Sequence, residues 1–153
     1  MTTHVFSATQ FRDLNAGTPK WDLVIQAVEK GRKNPKRYAR SLGSTLTYWT
    51  ESARAVGELT AARMYQTFLI PLDGPAWIDV AETSTLHPCR AYDDTRDSQA
   101  FSGEAERVEI PEGSIVAVPP NAAWRYADSS ESVPVMRLRV TRAGAPLRLA
   151  EKR

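Results

Sequence analysis

The side chains able to move a proton or grip a charged ligand lie in a few short stretches. Residues 60–69 carry Arg63, Tyr65 and Thr67, and residues 92–97 end on Asp97. Residues 120–125 carry Asn121, Trp124 and Arg125, and Arg139 lies in the last apolar run. A carboxylate such as Asp97 has the type of a base and a phenol such as Tyr65 that of an acid, with ordinary values of about 3.9 and 10 on either side of neutrality. Arg63, Arg125 and Arg139 have the forked guanidinium that holds a carboxylate bidentately. Each also has a plain structural reading. Tyr65 would cap the core, Asp97 would fix a loop turn, and Arg125 and Arg139 would point outward from strands.

Metal chemistry has little to draw on. A site needs three or four converging His, carboxylate or thiolate ligands. The chain has two histidines, His4 near the N-terminus and His87 beside Pro88. Neither belongs to a ligand pattern, so no metal and no other cofactor is expected. The single cysteine, Cys89, forms no internal disulfide and fits a reducing cytoplasm. It is expected to be an inert, buried or half-buried thiol.

The elements that must position these side chains begin with helices. Ser7 followed by Gln10 has the form of a capping box, opening a short helix that turns Phe11 and Leu14 inward. Thr18-Pro19 has the form of N-cap and first helical residue. Trp21, Val24, Ile25 and Val28 then make one apolar stripe, with Gly31 expected to end the helix and Asn34-Pro35 to prevent its return.

From Leu46 the pattern becomes that of strands: residues 46–50, 65–72, 77–80, 107–110, 115–118, 123–126 and 133–140. Asp73-Gly74-Pro75 reads as a hairpin connection. Pro111-Glu112-Gly113 and Pro119-Pro120-Asn121 separate later strands. Many short strands with turns between them indicate a sandwich or barrel rather than a parallel sheet.

Composition bounds the rest. The chain has 153 residues, 42% hydrophobic and 25% charged, which suits one globular domain. There is no apolar run long enough for a membrane helix, and the N-terminus has no secretory pattern. Net charge is +2. The cluster Lys30, Arg32, Lys33, Lys36, Arg37 and Arg40 reads as a helix C-terminus and solvated loop. Only Tyr38 accompanies it, so nucleic-acid binding is not expected.

The two stretches around Arg63 and Arg125 resemble motifs of the YhcH/YjgK/YiaL family, cupin-like bacterial sugar-handling proteins. That family includes the β subunit of the evolved β-galactosidase and a sialic acid anomerase. Its first motif reads roughly His-Arg-x-Tyr-x-Asp/Glu-x-Gln/His, against Ala62, Arg63, Tyr65, Thr67 and Leu69 here. The second reads roughly Pro-His-Asp-x-His-Arg, against Pro120, Asn121, Trp124 and Arg125. Residues 41–48, 92–97 and 108–116 resemble further family segments in the same order. The metal-ligand positions are replaced, so the resemblance implies the scaffold without its metal.

The resemblance implies a mainly β, double-stranded β-helix (a cupin-like jelly roll) with short N-terminal helices. Residues 1–44 would be helical, 45–140 the barrel and 141–153 a tail. Alternation in the strand would point Tyr65, Thr67 and Leu69 together into the barrel. The implied ligand is a sugar or sugar acid, held by Arg63, Tyr65, Thr67, Asn121, Trp124, Arg125 and Arg139. The implied function is carbohydrate-related ligand binding or an accessory role, with a metal-independent sugar anomerase or isomerase using Asp97 and Tyr65 as the alternative. A homodimer or partner subunit remains open; nucleic acid and membrane are not expected.

Overall fold

A computed structural model describes residues 3–55 and 57–149; residues 150–153 of the expected tail lie outside the described residues. The chain opens with strand β1 (His4–Phe6), helix α1 (Ala8–Asn15) and helix α2 (Pro19–Lys33). Strands β2 (Arg40–Leu42), β3 (Leu46–Ser52), β4 (Leu59–Ala61), β5 (Tyr65–Pro71) and β6 (Ala76–Glu82) follow. Then come β7 (His87–Pro88), β8 (Gln99–Ser102), β9 (Glu106–Ile110), β10 (Ile115–Ala117), β11 (Ala122–Tyr126) and β12 (Pro134–Thr141).

The helix starts follow local chemistry. Ser7 accepts from the Gln10 backbone N–H at 3.0 Å while Gln10 Oε1 accepts from Ser7 N at 2.8 Å, which completes the capping box. Thr18 takes the extended N-cap conformation, with no side-chain cap bond, and Pro19 begins α2. Gly31 does not end that helix, which runs two residues further to Lys33. Its hydrogen serves packing instead. A Cβ there would lie 2.5 Å from Met136 Sδ, so glycine lets α2 approach β12.

Among the described residues twelve strands form two six-stranded antiparallel sheets, in the orders β1-β10-β5-β12-β3-β2 and β7-β8-β4-β11-β6-β9. The core strands alternate between sheets as the chain proceeds: β3 and β5 in the first, β4 and β6 in the second, then β9 in the second, β10 in the first, β11 in the second and β12 in the first. This winding is the double-stranded β-helix, or cupin-like jelly roll. The N-terminal part is more than helical, because β1 pairs with β10 and β2 with β3.

One sequence expectation fails on this winding. Asp73-Gly74-Pro75 joins β5 to β6, which lie in different sheets, so the turn is a corner rather than a hairpin. Gly74 takes φ +87° there, and its N–H donates to Glu112 Oε1 at 2.6 Å. The expected strand over residues 65–72 is β5, and β4 precedes it in the other sheet, separated from it by Ala62-Arg63-Met64. Gly74 and Pro75 mark the first break in the sequence, while Ala62-Arg63-Met64 carries no glycine or proline.

Alternation along β5 sends Phe68 and Ile70 to one side and Leu69 to the other. Phe68 and Ile70 join Phe11, Trp21, Val24, Val28, Met136 and Leu138 in a core under the helices. Leu69 joins Ile78, Val80, Trp124, Tyr126 and Val135 in a second core between the sheets. Leu59, Ala61, Ala81, Ala123, Leu86 and Phe101 form a third cluster on the outer face of the second sheet. No helix among the described residues is long and apolar enough to cross a membrane.

Candidate functional site

The break between β4 and β5 is built by Asp97. Its Oδ1 accepts the backbone N–H of Arg63 at 2.8 Å and of Met64 at 2.9 Å, and its Oδ2 that of Tyr65 at 3.1 Å. The Tyr92 hydroxyl donates to Oδ1 as well. From the other side Arg142 donates to the carbonyl oxygens of Tyr65 at 3.2 Å and Ala62 at 3.1 Å. A carboxylate therefore takes the donors of the turn and a guanidinium its acceptors.

This environment sets the charge of both partners. Burial pushes the Asp97 carboxyl up, but Tyr92 and the three backbone N–H groups outweigh it and hold the group below the usual carboxylate range. The bond to Asp97 pushes the Tyr92 phenol up to about 12. A carboxylate held ionised by four donors is a weak base. The geometry of Asp97 is that of a turn anchor, and its backbone sits at φ +49° to reach the bonds.

The remaining sequence candidates separate into three places. Arg63 lies with its guanidinium 4.3 Å from the Tyr92 ring centroid and donates to Gln99 Oε1 at 3.0 Å. With Asn121 it borders an outer groove of about 680 Å³. Tyr65, Thr67 and Arg139 come together elsewhere: Arg139 pairs in register with Thr67 and holds its guanidinium 4.5 Å from the Tyr65 ring centroid. Thr67 is buried.

Trp124 and Arg125 are neighbours on β11, so they face opposite sides of the sheet. Trp124 enters the core between the sheets. Arg125 Nε donates to Asp79 Oδ2 at 3.1 Å, and its Nη1 bonds the Gly57 carbonyl oxygen. Arg107 Nε takes Asp79 Oδ1 at 3.1 Å, making a row across β11, β6 and β9. Burial pushes the Asp79 carboxyl up, but the two arginines outweigh it and hold it low. The row ties three strands together.

The polar centre between the sheets is one that sequence reasoning missed. Glu51 Oε1 accepts from Trp49 Nε1 at 2.8 Å, and Oε2 from the Tyr126 hydroxyl at 2.7 Å. Arg137 Nη1 lies 3.5 Å from Oε2. The Arg137 guanidinium stands 5.0 Å from the Trp124 ring centroid and 5.6 Å from that of Trp49. Trp124 meets Tyr126 edge to face at 5.0 Å. Glu51, Trp124, Tyr126 and Arg137 line a cleft of about 330 Å³, which Ser52, Arg54, Thr60 and Arg125 also border. Burial, then the Glu51 charge, pushes the Tyr126 phenol well above its ordinary value.

Alternation offered the signal. Met136, Leu138 and Val140 face the helices, so Arg137 shares its side of β12 with Arg139 and Val135. The same rule puts Trp49 and Glu51 on the inner side of β3, opposite Leu46 and Tyr48.

Other expectations fall as follows. His4 is in β1, paired with Ala117, and His87 is exposed in β7. Cys89 is exposed rather than buried, because it follows β7 at the end of the second sheet. Among the described residues no three His, Cys, Asp or Glu side chains are grouped to hold a metal.

The strand winding of the two sheets defines a cupin-like jelly roll. No family model matches the chain. Among solved structures it is similar to hydroquinone 1,2-dioxygenase from Sphingomonas sp. TTNP3 with 4-hydroxybenzoate bound, at 17% identity over 94% of this chain and 91% of that one, TM-score 0.49. It is similar to hydroquinone 1,2-dioxygenase PnpCD in complex with Cd2+ and 4-hydroxybenzonitrile, at 17% identity over 78% and 72%, TM-score 0.46. With E. coli ycfD the identity is 18% over 79% of this chain, which spans 30% of that one, TM-score 0.45.

Proposed function

We propose that this chain is a carbohydrate-related binding or accessory protein of the cytoplasm, whose metal-free, cupin-like interior takes a sugar or sugar acid. The observation that carries this reading is Arg137, set over Trp124 and beside Glu51 at the cleft between the sheets. A carboxylate next to a guanidinium meets paired hydroxyls as acceptor and donor, and Glu51 and Arg137 are half-buried groups that reach the cleft. A cleft of about 330 Å³ suits a monosaccharide. The motif resemblance to the YhcH/YjgK/YiaL family points to the same class of ligand, and the lone cysteine fits the compartment.

The enzymatic alternative is a metal-independent sugar anomerase using Asp97 and Tyr65. The four donors on Asp97 weigh against it, because they stabilise the carboxylate that a base must protonate. Binding without turnover is the reading that the geometry favours.

Saturation-transfer NMR against a panel of hexoses and sugar acids tests it. Transfer to ring protons, weakened in Arg137→Lys, is the expected result. Silence across the panel with folded protein overturns the binding reading. Anomer exchange that the protein accelerates and Asp97→Asn abolishes moves the function to the enzyme.

A further inference from the structure

We propose that the C-terminal end of α2 and the loop after it form a docking surface for an acidic segment of a partner protein. Six of the chain's 20 lysines and arginines, and none of its 18 aspartates and glutamates, lie from Lys30 to Thr50. The rest of the chain is therefore net acidic, and the basic charge is concentrated at one place.

The acids flanking this stretch are already committed. Glu29 pairs with Arg12, and Glu51 turns inward to Trp49, Tyr126 and Arg137. Lys30, Arg32, Lys33, Lys36 and Arg37 make no ion pair among the described residues. The C-terminal dipole of α2 accounts for Lys30, Arg32 and Lys33 in its last turn. It does not account for Lys36 and Arg37, which lie beyond the helix, nor for Tyr38, which is 63% exposed beside them.

The loop is held in place. Arg40 Nη2 donates to the Asn34 carbonyl oxygen at 2.8 Å, and its guanidinium stands 4.7 Å from the Tyr48 ring centroid. Thr50 N donates to the Lys36 carbonyl oxygen at 2.8 Å. Like charges fixed close together repel, and an acidic partner relieves that repulsion. Tyr38 supplies the aromatic anchor common at protein interfaces.

A protein is favoured over a nucleic acid by the neighbouring edge. The loop leads into β2, the last strand of the first sheet, whose outer side can accept an extended segment. A nucleic-acid groove would add several stacking aromatics, and this stretch exposes Tyr38 alone among its large hydrophobic side chains.

Fluorescence anisotropy tests the proposal with a labelled peptide of glutamate interspersed with leucine, and a single-stranded oligonucleotide of equal charge. The peptide is expected to bind, more weakly as salt rises. Lys33→Glu combined with Arg37→Glu should remove binding, at least about tenfold, without loss of fold by circular dichroism. Tyr38→Ser, which keeps the charge, should weaken peptide binding about threefold. No peptide binding, tighter oligonucleotide binding, or indifference to Tyr38→Ser overturns the proposal. The second result would assign the surface to nucleic acid, and the third to unspecific charge.

Discussion

The guanidinium of Arg137 stands 5.0 Å from the ring centroid of Trp124, and the two side chains come from opposite sheets of the jelly roll. The contact places a cation against an aromatic face inside the sandwich, with Glu51 alongside. Arg137→Lys keeps the charge and loses the planar stack. Sugar binding should fall about tenfold with little change in thermal midpoint, since the side chain is partly solvated. Titration by NMR alongside calorimetric melting separates the two effects.

Asp97→Asn should destabilise the fold by about 2–3 kcal/mol at neutral pH, because a buried carboxylate serving four donors becomes a neutral amide. The folded carboxyl is held low, so its contribution is present above the unfolded value of about 3.9 and is lost as pH falls through the folded value. Urea unfolding from pH 7 to 3 should show a steeper acid loss in the wild type than in Asp97→Asn. Equal slopes would contradict the anchoring role.

Tyr126 gives the opposite sign. Its phenol is raised in the folded protein, so its contribution is present below the unfolded value of about 10 and disappears as pH rises through the folded value. Tyr126→Phe should be less stable at pH 7, where the bond to Glu51 is lost, yet less sensitive to alkali. Unfolding between pH 8 and 11 checks both statements.

Gly31→Ala sets helix propensity against packing. Alanine favours the helix by about 1 kcal/mol, while overpacking costs about 1–3 kcal/mol. The atoms met are Sδ and Cε at the flexible end of Met136, but this side chain is fully buried and must displace its neighbours to move, so net destabilisation is expected. Met136→Ala in the same chain should recover part of the loss relative to Met136→Ala alone. A stabilised single variant would mean that Met136 moves aside at little cost.

Protein dialysed against a non-chelating buffer should carry well under one equivalent of Zn, Mn, Fe, Ni or Cu. The positions that the family resemblance assigns to ligands hold Ala62, Thr67, Leu69, Asn121 and Trp124, which lack the donors such ions require. Elemental analysis showing one metal per chain would mean that ligands converge from elsewhere.

Local chemistry in the sequence determined the capping box at Ser7, the apolar stripe of α2, the strand rhythm after Leu46 and the two faces of β5. Each depends on residues within a few positions of one another, where helical and strand periodicity act. Tertiary structure decided what those elements meet. Arg63, Tyr65, Asp97 and Arg125 share polar character but occupy a turn, an interior face, a loop and an outer face. The cleft joins Glu51 on β3 to Trp124 and Tyr126 on β11 and Arg137 on β12. Those contacts depend on which sheet each strand enters. That choice is made at corners such as Asp73-Gly74-Pro75 and the turn held by Asp97 and Arg142, through bonds between residues far apart in the chain.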